Sequence, residues 1–244
     1  MKKLVAVALM LSLFCFCCFA SAETDALLQG LITEVGDGYF LMDDTRQGAV
    51  RVNLDGETTV YEGVVTGDTL AAGQYVYVRY NGVMTRSLPP QVTAEKVSCF
   101  TVSGTVADIL DTGYTVEGDA VLGTVIVRTE DAFPIVGAGV PVTVYYNGVM
   151  ALSYPPQVTA VYTVVPVLEG VASGVTADGF TLTADDGATY SIAVTADTGI
   201  YTLPAEGERL KVYYNGELTD DTAAVALAVV SPEAESMQDD AAEE

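Results

Sequence analysis

The sequence contains one phrase in two nearly identical copies and the start of a third. The first copy, at residues 80–94, has the letters YNGVM followed by SLPPQVTA, and the second, at residues 146–160, has YNGVM followed by SYPPQVTA. A shorter version, YNGEL, begins at residue 214, so the copies start at 80, 146 and 214, which are 66 and 68 residues apart. Self-similarity at a fixed period identifies a repeat architecture. The sequence therefore predicts three tandem copies of one unit.

The period divides the chain into three modules, at residues 23–98, 99–166 and 167–230, with a leader at 1–22 and an acidic tail at 231–244. Each module is near the lower size limit of an independent domain, since a domain of about 60 residues buries only about 60% of its unfolded surface. Apolar, β-branched residues connect the modules without a Gly/Ser linker. We therefore expect neighbouring modules to pack on each other in a stiff array.

The leader has the pattern of a secretory signal peptide. Lys2 and Lys3 are followed by an apolar run at residues 4–19 and by the small residues Ala20-Ser21-Ala22, which predicts cleavage before Glu23. The three cysteines of the leader do not match the lipoprotein pattern, because Phe or Cys directly precedes each of them. No later stretch reaches the roughly 20 apolar residues of a membrane span. We expect a secreted or extracellular protein, associated with the cell envelope and without an integral membrane segment.

Cleavage of the leader leaves one cysteine, Cys99. A single cysteine cannot form an intramolecular disulfide in an oxidising compartment. Cys99 alternates with Val97 and Thr101 along a strand-like run, which favours a small buried hydrophobic residue. Pairing with a cysteine of a second molecule is the alternative.

The chain is acidic, with a formal net charge of −23. A surface of this sign repels phosphate backbones, so we expect no nucleic-acid partner. The tail is expected to be disordered, because six of its fourteen residues are acidic and none is aromatic. Calcium would suit the acidity, but no alternating Asp loop of the calcium-binding type occurs, and the best fragment, Asp43-Asp44, is interpreted as a solvated turn. We expect no metal and no cofactor.

Short runs of alternating apolar and polar residues, separated by Gly- and Asp-rich turns, recur along each module. In the first module they lie at residues 27–35, 39–43, 49–54, 74–80 and 91–102, with an irregular stretch before the fourth run. Equivalent runs follow in the same order in the other two modules. The pattern predicts an all-β fold of three tandem small antiparallel barrels, OB-like, with about five strands each. The Asn-Gly pair after each fourth run is typical of a type I′ hairpin turn.

The run before each Asn-Gly also indicates which side chains face the core. Aligning the final tyrosines superposes apolar residues at alternate positions: Val76, Val78 and Tyr80; Val142, Val144 and Tyr146; Leu210, Val212 and Tyr214. The intervening residues differ between copies and are expected to project outward: Tyr75, Tyr77 and Arg79; Pro141, Thr143 and Tyr145; Arg209, Lys211 and Tyr213. The modules are thus expected to share a scaffold and to present different surfaces.

Two features of the predicted surface are candidates for binding. Outward tyrosines can stack on sugars or bases, and consecutive prolines hold an extended, semi-rigid segment in which an aromatic-proline peptide can be cis. The candidate binding residues are Tyr77, Arg79, Tyr145, Tyr154, Pro155, Pro156, Gln157 and Tyr213. The alternatives are a solvated strand face for the tyrosines and a rigid crossover into the last strand for the prolines.

The chain contains no histidine. This excludes the usual Ser-His-Asp and Cys-His arrangements and most transition-metal sites. Two carboxylates could still hydrolyse a glycosidic bond, but many of the aspartates fall in predicted turns, where Asp is favoured for its conformation. We expect no catalytic residues and no enzymatic activity, with a carboxylate-dependent glycosidase as the less favoured alternative.

The segment VYYNGVMALSYPPQVTA, residues 144–160, resembles an uncharacterised family of small exported OB-like domains from Firmicute bacteria, called YobA-like. Residues 78–94 resemble it slightly less well, and residues 212–230 depart from it at the proline phrase. The resemblance implies a barrel-like fold and an envelope location, and no activity.

Fold class, export and composition together favour a noncatalytic β-repeat protein that acts as a binding or spacer module at or outside the bacterial cell envelope. Its expected partner is a cell-surface protein, peptide or glycan. The alternative within binding is recognition of a carbohydrate or peptide by the outward tyrosines and the Pro-Pro loops.

Overall fold

The computed structural model describes residues 26–129, 137–196, 198–200, 203–215, 218 and 223–231. The prediction of an all-β fold is confirmed: the described residues form β-strands and one turn of 3₁₀ helix at Gly67–Thr69, with no α-helix among them. Within these ranges no helix has the length and apolar character needed to cross a membrane. The leader, all of the tail beyond residue 231, and the segment 219–222 that replaces the proline phrase in the third copy lie outside the described residues.

The strands of the first module follow the predicted runs closely. They are β1 Ala26–Gly36, β2 Tyr39–Asp44, β3 Gly48–Asn53, β4 Val60–Gly63 and β5 Tyr75–Tyr80, followed by β6 Gln91–Leu110. β1, β2 and β3 form an antiparallel meander, and β5 pairs antiparallel with β1. The short β4, in the region where the sequence is irregular, pairs in parallel with β6.

β6 runs from the first module into the second without a break. Its first half pairs with β5, and its second half pairs with β7 and β9. The second module continues with β7 Gly113–Asp119, β8 Gly123–Arg128, β9 Pro141–Ala151 and β10 Gln157–Val164. One strand therefore carries the backbone hydrogen bonds of two modules, in place of a flexible linker.

The third module repeats the same strand order. Its strands are β11 Val167–Thr176, β12 Gly179–Ala184, β13 Thr189–Ala193, β14 Gly199–Ile200, β15 Arg209–Asn215 and β16 Ala224–Val230. β11, β12 and β13 form the meander, and β15 pairs with both β11 and β16. The short β14 pairs in parallel with β16, as β4 does with β6 in the first module.

One parallel pair in each module joins the third strand of the meander to the last long strand. The residue partners include Val52 with Val92, Val127 with Val158, and Ile192 with Ala224. The pairings can be followed from the first strand to the second, third, last and fourth strands and then back to the first. Backbone pairing therefore closes a ring in each module, which leaves few unpaired strand edges.

Each ring has its own cluster of buried apolar side chains. The core face predicted for the fourth strand is confirmed: Val76, Val78, Val144 and Val212 are fully buried, and Tyr80 is 7% exposed. Burying a valine side chain contributes about 1.5–3 kcal/mol. The alternation seen in the sequence therefore identifies the residues that hold the fourth strand in place.

A glycine occupies the equivalent place in the first strand of each ring. Gly30, Gly104 and Gly170 pair with the aligned fourth-strand residues Val76, Val142 and Leu210. A Cβ atom at these glycines would lie 1.8, 2.2 and 2.3 Å from a carbonyl oxygen of the second strand. The pairing of first and second strands also shifts register a few residues beyond each glycine, as in a β-bulge, which bends the strand. Only glycine fits where the first strand bends so closely over the second.

The prediction of a type I′ turn is wrong at Asn81-Gly82 and at Asn147-Gly148, and Gly216 of the third pair lies outside the described residues. That turn needs a positive φ at both central residues, and only the glycines, Gly82 at 79° and Gly148 at 84°, have one, since no described non-glycine residue does. The side-chain oxygens of Asn81 and Asn147 instead accept hydrogen bonds from the backbone nitrogens two residues on, at 2.9 and 3.0 Å. The connection to the last strand is longer than a two-residue hairpin, so no I′ geometry is required.

Candidate functional site

Two consecutive tyrosines of β9 contribute to two different cores. Successive side chains of a strand point to opposite faces. Tyr146 packs in the core cluster of its own module, whereas Tyr145 packs in the core cluster of the first module and is only 8% exposed. The expectation that Tyr145 projects outward as a binding residue is therefore wrong, because the neighbouring module covers that face of β9.

Four tyrosines meet where the first two modules join: Tyr75, Tyr77, Tyr145 and Tyr162, which we call the tyrosine junction. The rings of Tyr75 and Tyr162 stack with centroids 5.9 Å apart and an interplanar angle of 21°. Tyr145 lies 6.1 Å from Tyr162, and Tyr75 lies 5.7 Å from Tyr77. Aromatic pairs at such separations contribute about 0.5–1.5 kcal/mol beyond the area they bury. The junction therefore binds the two modules through side chains as well as through β6.

Burial raises the pKa of Tyr75, Tyr77 and Tyr145. The pKa of Tyr77 rises to about 12, first because the hydroxyl is removed from water and then through Tyr75 and Cys99. Its hydroxyl is buried and has no hydrogen-bond partner among the described residues. The pKa of Tyr145 is also raised, mainly by burial. These side chains therefore stay neutral at physiological pH, and Tyr77, half-buried against the first core, is not an open binding surface.

Cys99 is free and fully buried, as expected for a small hydrophobic residue. Burial raises the pKa of its thiol to about 11, and the thiolate is the reactive form. We therefore expect a disulfide reagent such as dithionitrobenzoate, at about pH 8, to leave Cys99 unmodified in the folded protein produced without residues 1–22 and to modify it once denaturant is added. Equal rates of modification in the folded and denatured protein would contradict this placement.

The second junction repeats part of this arrangement. Tyr214 packs against the core cluster of the third module, while Tyr213 packs with Leu227 against the cluster of the second module. Tyr213 is thus the counterpart of Tyr145. The equivalent residue of the first module is Arg79, which is exposed. Of the three residues predicted to face outward at this position, Arg79, Tyr145 and Tyr213, only Arg79 is exposed.

The third module carries charges where the first carries junction tyrosines. Arg209 and Lys211 occupy the positions of Tyr75 and Tyr77. The guanidinium of Arg209 donates two hydrogen bonds to the carboxylate of Asp185, at 2.8 and 2.7 Å, on the exposed surface. Such a pair suits a face in contact with water. At these two positions the first module therefore has tyrosines of the tyrosine junction, whereas the third module has charged side chains that pair with its own carboxylates.

The two Pro-Pro phrases share local structure within residues 83–90 and 149–156, which we call the proline loops, although the second segment begins with the last three residues of β9. Both the Leu88-Pro89 and the Tyr154-Pro155 peptides are cis. Ser87 Oγ donates to the carbonyl oxygen of Pro89 at 2.8 Å, and Ser153 Oγ donates to that of Pro155 at 2.7 Å. The shared bonds show that the repeated letters encode one local structure.

The half-buried end of the second proline loop holds the start of the last strand. The carbonyl oxygen of Pro156 accepts a hydrogen bond from Ile126 N of β8 at 2.9 Å. Gln157 Oε1 accepts one from Arg128 Nε at 2.8 Å. Pro155, Pro156 and Gln157 therefore have contacts that favour a rigid crossover over a ligand surface.

The tips of the proline loops are exposed and apolar. In the first loop Val83 is 68% and Leu88 is 97% exposed, and in the second Val149 is 68%, Leu152 is 97% and Tyr154 is fully exposed. Val83 and Leu88 are the counterparts of Val149 and Tyr154. Clustered exposed apolar side chains mark interaction surfaces more often than isolated ones do. Tyr154 is thus the one candidate tyrosine that the structure leaves fully open.

A cleft that the sequence does not predict lies beside the tyrosine junction. Its volume is about 570 Å³. One side is formed by β1, by the turn from Asp43 to Gly48 and by Tyr75, and the other by Val161 and Tyr162 of β10. No motif marks this site, because its two sides come from different modules and meet only after the modules pack.

Asp44 organises the turn that borders the cleft. It is 3% exposed, and its carboxylate accepts hydrogen bonds from the backbone nitrogens of Gln29, Arg46 and Gln47 at 2.8, 3.1 and 3.0 Å. The interpretation of Asp43-Asp44 as a solvated turn is therefore wrong for Asp44, although Asp43 is exposed. Three donors satisfy this buried carboxylate and fix the side chains that follow it.

Asp43 and Arg46 supply opposite charges to the cleft. The carboxylate of Asp43 has no hydrogen-bond or ion-pair partner among the described residues, and Arg46 Nη2 donates to the carbonyl oxygen of Leu27 at 2.8 Å. In the described part of the chain no three acidic or cysteine side chains converge as metal ligands would. The chemistry available is therefore stacking on tyrosine, acceptance by a carboxylate and donation by a guanidinium.

No family model matches the chain, and no curated protein matches it. Similar solved structures include a multidomain protein with nucleic acid binding domains from Streptococcus pneumoniae TIGR4, at 12% identity, with 82% of this chain and 72% of that chain covered and a TM-score of 0.21. Drosophila Unr CSD456 aligns at 13% identity, with 86% of this chain and 98% of that chain covered and a TM-score of 0.21. At that similarity neither structure supports an argument about this chain.

Proposed function

We propose that this chain is an exported, noncatalytic protein of three tandem OB-like barrels that acts as a binding or spacer module at or outside the cell envelope. The closed ring of five strands in each module supports the barrels, since an OB fold is a five-stranded barrel. The repeated proline phrase supports membership of the YobA-like domains, and the signal-peptide pattern supports export.

A solenoid of stacked coils is the alternative arrangement for an all-β repeat protein. Parallel strands of successive coils would pair in a β-helix. Here the meander strands and the fourth strand pair antiparallel within each module. These pairings favour barrels, because they are made inside one repeat and not between repeats.

The observation that carries the proposal is the way the first two modules join. β6 belongs to two rings, and Tyr145 of the second module lies in the core cluster of the first. A joint of this kind resists bending, because bending it would break strand pairing or expose an aromatic ring. A stiff array suits a spacer that holds a surface at a fixed distance from the envelope.

The proline loops provide the surface for binding in this proposal. Their apolar tips recur on successive modules and face solvent, so one partner could contact both. The partner class is a cell-surface protein, peptide or glycan. The charge of −23 disfavours nucleic acid.

Capture of cell-envelope material tests the binding part. The double variant Leu152→Ser with Tyr154→Ala removes two fully exposed side chains, so we expect its free energy of unfolding to change by less than about 0.5 kcal/mol. We expect envelope material retained by the immobilised mature protein to fall about tenfold, as when a hot spot is lost. Val121→Ser, which changes an 89% exposed valine on the β7–β8 turn, is the control and should retain capture. Equal capture by all three proteins would rule out the proline loops as the binding surface.

A further inference from the structure

We propose that the cleft beside the tyrosine junction binds a neutral saccharide unit. This inference rests on the proposed binding function and adds a place and a ligand class to it. The cleft volume of about 570 Å³ lies within the range of about 300–1,000 Å³ that is typical of small-molecule sites. The cleft is separate from the proline loops and uses none of their residues.

The apolar wall of the cleft is held in position before a ligand arrives. Tyr162 is 37% exposed, and its ring stacks on Tyr75, which is 5% exposed. Val161, 42% exposed, extends the same wall. The C–H face of a sugar ring packs well on an aromatic side chain with a polar edge. Because the aromatic ring is already ordered, less conformational freedom is lost on binding.

The opposite side supplies hydrogen-bonding groups of both kinds. The carboxylate of Asp43 accepts, the guanidinium of Arg46 donates, and the hydroxyl of Thr45 does both. All three line the cleft, and the backbone bonds of Asp44 fix the turn that carries them. Neighbouring sugar hydroxyls each donate and accept, so they can satisfy this set together.

The charges of the cleft select against anionic and apolar ligands. Asp43 and Arg46 carry opposite charges, and Asp44 leaves the lining with one net negative charge, although its carboxylate is already satisfied by three backbone donors. An anionic sugar would approach Asp43 in the field of a chain with net charge −23. An apolar ligand would desolvate Asp43 and Arg46 without giving them partners. A neutral, hydroxyl-rich ring avoids both costs.

Titration calorimetry of the mature protein with neutral tetrasaccharides tests the inference, with cellotetraose, mannotetraose and chitotetraose as probes and tetragalacturonate as the anionic comparison. We expect at least one neutral probe to bind with a Kd of about 1 mM or lower and tetragalacturonate not to bind. Asp43→Ala and Arg46→Gln should each weaken binding about five- to tenfold, as when a charged hydrogen-bond partner is removed, with unchanged thermal unfolding. Val121→Ser, at an 89% exposed residue outside both the cleft and the proline loops, is the control and should bind as the unaltered protein does.

Absence of binding by every neutral probe at about 10 mM would overturn the inference. Equal affinity of Asp43→Ala, Arg46→Gln and the unaltered protein would also overturn it, as would tighter binding of tetragalacturonate. If envelope capture by the proline loops persists in that case, the proposed function survives and the cleft assignment does not. If saccharide binds in the cleft while capture does not depend on the loops, the loop proposal fails and the cleft assignment stands.

Discussion

Tyr145→Ala is expected to destabilise the first module, although the residue belongs to the second. The side chain is 8% exposed within the first core cluster, and its ring lies 6.1 Å from that of Tyr162. Truncating a buried aromatic side chain lowers the free energy of unfolding by about 3–5 kcal/mol. We expect a value near about 3 kcal/mol here, because the neighbouring Tyr162 is partly exposed to solvent. Scanning calorimetry should show the melting temperature of the first module lowered by roughly 12–24 °C.

Tyr145→Phe is the control for the junction, because it keeps the ring and removes only the hydroxyl. We expect its free energy of unfolding to lie within about 1 kcal/mol of that of the unaltered protein. A second control, Tyr154→Ala, removes a fully exposed tyrosine of the same module and should leave melting unchanged. If Tyr145→Ala melts like Tyr154→Ala, the tyrosine junction does not couple the modules.

Gly30→Ala is expected to open the first ring. The new Cβ would lie 1.8 Å from the carbonyl oxygen of Asp43, and both atoms belong to paired backbones that cannot rotate away. Overpacking costs about 1–3 kcal/mol where side chains can adjust, and occasionally more. Here the two strands must separate, so we expect the free energy of unfolding to fall by about 3 kcal/mol or more. Urea unfolding measured by circular dichroism would show the shift in midpoint.

Gly56→Ala is the matched control in the same module. Its Cβ would meet nothing within 4 Å, and its φ is not in the left-handed region, so we expect a change below about 0.5 kcal/mol. Gly170→Ala should repeat the effect of Gly30→Ala in the third module, since its Cβ would lie 2.3 Å from the carbonyl oxygen of Thr183. Equal stability of Gly30→Ala and Gly56→Ala would contradict the close crossing of β1 over β2.

The strands and the core face were predictable from the sequence, because both depend on local alternation. The run predicted at residues 39–43 differs by one residue from β2, Tyr39–Asp44, and the run predicted at 74–80 differs by one residue from β5, Tyr75–Tyr80. Val76 and Val78 are buried as the period of two requires. The Asn-Gly turns were not predictable in this way, since turn type depends on the length of the whole connection.

The binding candidates were less predictable, because exposure depends on which modules touch. Tyr145 and Tyr154 are both tyrosines on the second module, yet one lies in a neighbouring core and the other is fully exposed. The alternation of side chains along β9 indicates only that Tyr145 points away from the core of the second module. The one available signal was the comparison of copies, in which tyrosine at this position in the second and third modules is replaced by Arg79 in the first.

The cleft could not be found from sequence, because Tyr162 and Asp43 belong to different modules and no motif links them. The glycines at 30, 104 and 170 could have been noticed from the sequence, because they share one position when the three copies are aligned. Their shared position becomes meaningful only with the register, which pairs each with the equivalent residue of a fourth strand. A glycine repeated inside a strand could have indicated the close backbone approach.

Methyl–methyl nuclear Overhauser contacts across the parallel pairs test the closed rings most directly. Three closed barrels predict strong contacts between Val52 and Val92, between Val127 and Val158, and between Ile192 and Ala224, which are partners in the parallel pairs. Absence of these contacts in a spectrum that shows the antiparallel neighbours, or contacts that instead join strands of successive repeats, would contradict the closed rings.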